Sequence, residues 1–373
     1  VVCRVLRAPA RLRGDETFCA LARPAEENSD ELTAALSPVE AGMDVAVIIP
    51  VFNKSRHVER AITSALSQTL TPVEIVIVED ASTDGSAEKI AAIKHPLVRI
   101  IHRQTPGPGG YAARNAAIQS VGTEWVAFLD ADDSWQPNHL QSVSDAISQA
   151  GNDASIGCVF TGFYRSYEDG RSSLDVYSKH VGRDEPRRLN FEEFVTLWIR
   201  LRGCPIQTSA ATFRRQALIK AGLFPAGRCS RGGDKDLWLR AARHADLLAC
   251  PSVTAAYYQD SANMVTRRTT NVRHCLCDTI EALLRVEPSV ERRKLLKRLF
   301  NTEVYAYARL ALRTQRVDPR VWKGFHYAQD PFRFLILHAL SWLPHSITKS
   351  YATGASGRLR LQVPHRLSNG SSP

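Results

Sequence analysis

Apolar residues fall into two spacings along this chain. Val45 to Val51, Val73 to Val78, Val98 to His102 and Trp125 to Leu129 are near-continuous apolar runs of strand length. Such runs predict strands buried on both faces of a sheet. Between the first two, Val58, Ala61, Ile62, Ala65 and Leu66 recur at helical spacing, with Asn53 as the expected cap. Ser82-Thr-Asp-Gly-Ser86 supplies turn and cap chemistry for a helix over about 87–94. The turn Pro106-Gly-Pro-Gly-Gly110 leads into a helix at 111–121, and a further helix is expected from about Pro137 to Gln149. Strand–helix alternation at this spacing means βαβ units and a mostly parallel, Rossmann-like α/β sheet flanked by helices. The glycines of the turn do not form GxGxxG, and no GxxxxGK[ST] occurs, so two common nucleotide-binding signatures are absent.

Beyond residue 150 the pattern loosens. Ile156 to Phe163, Ser209 to Phe213 and Val253 to Tyr258 read as strands, and Phe191 to Leu201 as an amphipathic helix. Arg231-Gly-Gly-Asp234 opens a helix continuing to His244, which places Asp234 where the helix dipole favours a carboxylate. From 271 to about 340 the chain is helical and basic. The expected organisation is an arm over 1–42, a catalytic domain over 43–270 with halves at 43–150 and 151–270, a helical region over 271–345 and a flexible tail over 346–373.

The run Trp125 to Leu129 ends in Asp130-Ala-Asp132-Asp133, three carboxylates in four residues. In an extended chain Asp130 and Asp132 project to the same side and repel unless a cation lies between them. Hard divalent ions such as Mg²⁺ or Mn²⁺ take oxygen ligands of this kind. Open α/β sheets also bind ligands outside the carboxyl ends of their strands. The competing reading is a solvated acidic turn in which Asp133 or Ser134 caps the next helix. On these residues alone the two stand level.

Composition narrows the classes. With 44% hydrophobic and 23% charged residues the chain is not wholly disordered. Its net charge of +10 is uneven. From Asn271 to Pro373 there are 17 Lys/Arg against 7 Asp/Glu, and the other 270 residues hold 31 of each sign. A basic tail on a neutral body points to an anionic surface for the tail, without implying a nucleic-acid partner. The eight cysteines form no CxxC pair, and Cys275-Leu-Cys277 lacks partners for a zinc knuckle, so reduced thiols in a cytoplasmic protein are expected. No run of 18 apolar residues predicts a membrane-spanning helix, and the first residues do not read as a signal peptide.

Five blocks, taken in order, resemble a known family. They are Val-Ile-Ile-Pro-Val-Phe-Asn (47–53), Val-Ile-Val-Glu-Asp-Ala-Ser-Thr-Asp-Gly-Ser (76–86), Ala-Ala-Arg-Asn-Ala (112–116), Phe-Leu-Asp-Ala-Asp-Asp (128–133) and Gly-Gly-Asp-Lys-Asp-Leu-Trp-Leu-Arg (232–240). Together they resemble the family 2 inverting glycosyltransferases of GT-A fold, over about residues 44–260. The resemblance implies hexosyl transfer from a nucleotide-diphospho-sugar, a UDP-sugar being favoured, to an acceptor hydroxyl. It also implies a divalent cofactor, Mn²⁺ or Mg²⁺.

Carried over by position, Pro50, Phe52 and Asn53 line the nucleobase and ribose, and Asp80 contacts the base. Arg114 lies near the diphosphate, Asp130 contacts the ribose, Asp132 holds the metal and Asp234 is the catalytic base. A divalent ion and Arg114 can neutralise a departing diphosphate, and a carboxylate can take the acceptor's proton. Two departures stand out. Gly233 replaces a frequent glutamate before the base. Asp260 is nearest the position of a histidine that often helps hold the metal.

The resemblance implies a role in polysaccharide or glycoconjugate biosynthesis, with a glycan or lipid-linked acceptor. Its setting would be cytoplasmic, at or away from the inner face of the cell membrane. Two alternatives remain: a non-catalytic sugar-nucleotide or glycan-binding relative, and a nucleotidyltransferase. The stretch Phe332 to Leu343 is too short to span a bilayer. Either it lies in the membrane interface with Trp342 at headgroup depth, or its apolar face packs onto the catalytic domain, and the second reading is favoured. The sugar, the base, the acceptor, the linkage and the oligomeric state are not legible.

Overall fold

In the computed structural model, which describes residues 43–180, 185–261, 274–311 and 323–343, every side chain of Val45–Val51 (β1) except Pro50 is buried. The expected arm and the expected tail lie outside the described residues, all of which belong to one compact unit, Gly42–Pro373. β1 is followed by Val58–Leu66 (α1), Glu74–Asp80 (β2), Ser86–Ala92 (α2), Val98–Arg103 (β3), Tyr111–Ser120 (α3) and Trp125–Phe128 (β4). β2 and β4 pair with β1 in parallel, and β3 pairs with β2 in parallel. The expected βαβ units are therefore present.

The second half begins with a two-residue strand, Ser134–Trp135 (β5), then His139–Gln149 (α4), Ile156–Ser166 (β6), Ser172–Leu174 (β7), Val176–His180 (α5) and Arg187–Leu189 (β8). Phe191–Leu201 (α6) follows, started by a capping box in which the Asn190 side chain accepts from Glu193 N and the Glu193 carboxylate accepts from Asn190 N, both at 3.0 Å. Ala211–Arg214 (β9), Arg215–Lys220 (α7), Gly233–Ala241 (α8) and Asp246–Tyr258 (β10) complete the sheet, whose main order is β3-β2-β1-β4-β9-β6-β10-β5. β9 runs antiparallel between β4 and β6, while β6 and β10 form a long parallel pair. The sheet is thus parallel in its first half and mixed in its second.

Period-two alternation sorts the strand residues into two cores. Ala46, Ile48, Val76 and Val78 face a layer holding α3, α6 and α8, whereas Val45, Val47, Ile49, Ile75 and Ile77 face α1 and α4. The first core is centred on aromatic rings. Trp238 is fully buried, stacks on Phe213 at 4.4 Å and meets Phe224 edge-on at 5.6 Å. Emptying such a site costs about 3–5 kcal/mol.

The basic C-terminal region enters that same core. Leu276 and Ile280 of Cys275–Val286 (α9), Leu299 and Phe300 of Val290–Ala311 (α10), and Leu337 and Leu340 of Pro331–Trp342 (α11) all join it. Two side-chain links weld it to α8. Thr279 donates to the fully buried carboxylate of Asp236. Lys235 Nζ lies 2.7 Å from Glu303 Oε2, and Trp198 Nε1 donates to Glu303 Oε1 at 2.7 Å. Burial alone would lower the Lys235 pKa and raise that of Glu303, but their mutual attraction outweighs it and shifts both the other way.

Two expectations are corrected here. Cys229 and Cys275 form a disulfide, because the loop before α8 and the start of α9 meet in space although they are 46 residues apart in sequence. Cys158, Cys204, Cys250 and Cys277 remain thiols. The helix after β4 is not capped by Asp133 or Ser134, since Ser134 belongs to β5 and the helix starts after Asn138. Among the described residues no helix is long and apolar enough to cross a membrane.

Candidate active site

The carboxyl ends of β1, β2, β4 and β10 and the first turns of α3 and α8 converge on one edge of the sheet, where open α/β sheets bind ligands. At the end of β4 the chain does not stay extended. Asp133 N donates to Asp130 O at 2.9 Å, so Asp130 to Asp133 form a tight turn. The expectation that Asp130 and Asp132 share a side by strand alternation is therefore corrected. Each carboxylate instead meets its own cation.

Asp130 accepts from Arg114 Nη2, and its backbone N donates to Ser209 Oγ at 3.0 Å. Arg114 is buried on α3, and its Nη1 also donates to Gly109 O at 2.9 Å. Asp132 Oδ2 lies 2.6 Å from Lys54 Nζ, which also reaches Ser261 Oγ at 2.6 Å. Burial pushes the Asp130 carboxyl up, Asp132 adds to the shift and Arg114 opposes it. Asp133 plays another part: it is fully buried and accepts from Ser209 Oγ at 2.6 Å, Gln207 Nε2 at 3.0 Å and Tyr258 N at 3.2 Å. Burial and the two neighbouring carboxylates push its pKa well up. It pins the turn to the segment just before β9 and to the end of β10.

Residues on β1 and β2 form one rim of the site. Pro50 lies against Gly110, whose position for a Cβ is 3.7 Å from the proline's own. Phe52 is 42% exposed, so a flat apolar face is open to a ligand. Asn53 does not cap α1, which starts after His57. It adopts φ 54°, accepts from Thr83 N at 2.7 Å and donates its backbone N to Ser82 Oγ at 3.1 Å. Asn53 thus ties the β1 loop to the β2 loop. Asp80 is buried, paired with Arg103 and accepting from Gly107 N at 3.0 Å. It fastens the Gly-rich turn beside the rim.

Asp234 sits in the first turn of α8. Burial pushes the Tyr111 and Asp130 pKa values up, and the Asp234 charge adds to both shifts, next after burial at Tyr111 and as a minor cause at Asp130. Tyr111 accepts from Gly233 N at 2.9 Å and stacks on Phe224 at 5.8 Å. A Cβ at Gly233 would meet the Tyr111 ring at 2.7 Å and Pro225 at 2.9 Å. The glycine before Asp234 therefore matches Tyr111: the ring fills the space a larger residue would need.

Asp260 follows β10. Its Oδ2 accepts from Arg60 Nη1 at 3.2 Å, and its Oδ1 is a buried oxygen without a hydrogen-bond partner. Arg60 also donates to Asp132 O and lies 3.5 Å over the Tyr258 ring, so it brings Asp132 and Asp260 to one place. An unsatisfied carboxylate oxygen at Asp260 and an ammonium-bound one at Asp132 are donors of the type a hard divalent ion takes. Among the described residues no three His, Cys, Asp or Glu side chains converge as a metal cluster. Lys54, Arg60, Tyr111 and Ser209 were missed in the sequence. Lys54 adjoins the recognised Asn53 and Tyr111 opens a recognised helix, but Arg60 and Ser209 carry no local signal.

Residues 46–221 match the model of Glycosyl transferase family 2. The succinoglycan biosynthesis protein ExoO of Rhizobium meliloti is 38% identical over 114 residues, 30% of this chain and 32% of that protein. The chondroitin synthase of Escherichia coli is 33% identical over 119 residues, 31% of this chain and 17% of that protein. The chain spans about a third of the length of the first curated relatives it matches. In fold it is similar to S. aureus TarS 1–349, solved with UDP-GlcNAc, at a TM-score of 0.63 and 14% identity over 84% of this chain and 92% of that one. That likeness bears on fold, and the fold is GT-A. Residues 46–221, just under half of the chain, carry the likeness to glycosyl transferase family 2.

Proposed function

We propose that the protein is an inverting, divalent-metal-dependent glycosyltransferase. It moves a sugar from a nucleotide-diphospho-sugar to an acceptor hydroxyl in polysaccharide or glycoconjugate assembly. The observation that carries this reading is the meeting of Arg114–Asp130 and Lys54–Asp132 at the strand ends, with Asp234 within electrostatic reach.

Phe52 and Asn53 would border the base and ribose, with Asp80 behind them. Asp234 takes the proton from the acceptor hydroxyl as that oxygen attacks the anomeric carbon and the bond to the diphosphate breaks. Attack from the face opposite the leaving group inverts the anomeric centre. Arg114 stabilises the charge that grows on the departing diphosphate, from a buried and preorganised position. A divalent ion held by Asp132 and Asp260 would supply further charge neutralisation there. A UDP-sugar is the favoured donor, and the S. aureus neighbour solved with UDP-GlcNAc supports that choice.

The test is release of nucleoside diphosphate from a panel of nucleotide sugars with Mn²⁺ or Mg²⁺, with and without candidate glycan acceptors. The expected result is metal-dependent diphosphate release that rises with acceptor. Binding without turnover across the panel would instead assign a sugar-nucleotide-binding role, and formation of nucleoside triphosphate and sugar 1-phosphate on adding pyrophosphate a nucleotidyltransferase.

A further inference from the structure

Away from the strand ends, α6, α10 and α11 enclose a cavity of about 410 Å³. Arg200 and Arg202 line it from the end of α6, Arg298 from α10 and Arg333 from α11. The acidic lining residue described is Asp330, and it is already engaged: Arg333 Nη1 lies 3.1 Å from its Oδ2 and Arg333 N donates to its Oδ1 at 3.2 Å. No described carboxylate lies within ion-pair distance of Arg200, Arg202 or Arg298. Guanidinium groups gathered around one cavity repel until an anion enters, and their planar forks suit phosphate oxygens. The cavity has the size of a small-ligand site. Its walls α6 and α10 are joined by the Trp198–Glu303 hydrogen bond, so the arginines stand on rigid supports.

Beside the cavity α11 is apolar on two faces. Leu337 and Leu340 pack inward, as the packed-helix reading expects. Phe332, Leu335 and Trp342 share the other face and are 57%, 62% and 75% exposed. A soluble anion would account for the arginines but not for these side chains. An anionic lipid accounts for both, because its phosphate can enter the cavity while its glycerol and acyl region meets the apolar face.

We propose that this face of α6, α10 and α11 docks on a membrane surface, with the arginine cavity as the seat of an anionic phospholipid headgroup. The occupant is a membrane lipid in the plane of its bilayer. The site requires neither a donor nor turnover, so it stands or falls separately from the proposed transferase activity.

The experiment is co-sedimentation of the full chain with vesicles of phosphatidylcholine alone or mixed with phosphatidylglycerol, at low and physiological salt. The chain should sediment with the anionic vesicles only, and less at higher salt. Arg200→Ala with Arg298→Ala should weaken that binding by roughly thirtyfold, since each basic residue near such a surface contributes about a factor of five. Leu335→Ser with Trp342→Ser should weaken it as well, with melting of both variants unchanged. Absence of sedimentation with anionic vesicles overturns the proposal, as does binding that survives the arginine changes. Competition by soluble glycerol phosphate, with no effect of Leu335→Ser and Trp342→Ser, assigns the cavity to a free anion and overturns the lipid.

Discussion

The ammonium of Lys54 lies 2.6 Å from Oδ2 of Asp132 and equally close to the hydroxyl of Ser261. A cation supplied by the chain therefore stands beside the carboxylate that the resemblance makes a metal ligand. An ammonium and a divalent ion cannot occupy one position, so a metal held by Asp132 would require Lys54 to move aside or to turn toward the phosphates of the proposed donor. Either movement draws on the same attraction to negative oxygen.

Asp132→Asn should abolish metal-dependent nucleotide binding and transfer while the chain still melts cooperatively, because one anionic ligand is lost and no core cavity is made. Lys54→Met should bind Mn²⁺ more tightly than the parent, since the competing cation is gone. Calorimetric titration of Mn²⁺ into both variants checks the pair. Equal Mn²⁺ affinity in the Asp132→Asn variant and the parent would remove Asp132 from the metal site.

Asp234→Asn should keep donor affinity and lose transfer. The carboxylate sits in the first turn of α8, and as the proposed base it would act on the acceptor rather than the nucleotide. General-base catalysis contributes about 10²–10⁴-fold, so kcat should fall by that much with little change in the donor's Kd. A loss under about tenfold would move the base to another residue.

Gly233→Ala should destabilise the chain by about 1–3 kcal/mol, the usual cost of overpacking. The new methyl would lie 2.7 Å from the Tyr111 ring. Tyr111→Leu in the same chain should recover part of the loss, because the clash partner is shortened. Urea unfolding of the two single variants and the double variant measures the coupling, and simple additivity would refute the proposed fit between the two residues.

What was legible in the sequence follows from where the forces are local. Buried parallel strands need near-continuous apolar runs and the helices between them need a 3.6-residue period, so β1 to β4 and α1 to α4 lay open to reading. The five motif blocks brought Asp80, Arg114, Asp130, Asp132 and Asp234 into view through the resemblance, and they fall at strand ends or in the first turn of a helix. Partnerships between distant residues had no such mark. Arg60 reaches Asp132 and Asp260 across 72 and 200 residues, and Lys235 reaches Glu303 across 68. Asp133 looked like a candidate cap for the next helix, and only burial against Ser209 shows it to be an anchor. The disulfide escaped for the same reason, since spacing alone did not pair Cys229 with Cys275.

Glu303→Gln should lower stability by about 1.5–3 kcal/mol, the worth of a hydrogen bond to a charged group, since the Lys235 left behind is partly exposed. Lys235 would keep its ammonium among α6, α8 and α10 with the carboxylate gone. Lys235→Met combined with Glu303→Leu should lie much closer to the parent, because a buried ion pair replaced by apolar groups of similar volume is often neutral. Chemical unfolding of the single and double variants separates the two outcomes. A single variant within about 1 kcal/mol of the parent would show that water reaches the pair.

Acid should destabilise the chain through histidines that are buried uncharged. His139 is fully buried, stacked on Trp135 at 4.2 Å, with Nδ1 2.8 Å from Thr254 Oγ1 and no partner at Nε2. Burial lowers its pKa to about 3. His274, near the start of α8, is lowered to about 4, by burial first and then by Lys235. Below the ordinary imidazole value of about 6.5 the unfolded chain takes up protons at both rings while the folded chain does not. Their contribution is therefore complete above about pH 6.5 and is lost as the pH falls toward 4 and then 3, at about 1.4 kcal/mol per pH unit for each ring. Asp130 and Asp133 have raised values and act in the opposite sense, which makes the slope of the parent alone a poor readout. The informative quantity is the difference between the parent and His139→Gln. Urea unfolding from pH 7 to pH 4.5 should show that the variant loses less stability on acidification, by up to about 1.4 kcal/mol per unit. Parallel curves over that range would mean that His139 is protonated in the folded chain, and that its cavity admits water.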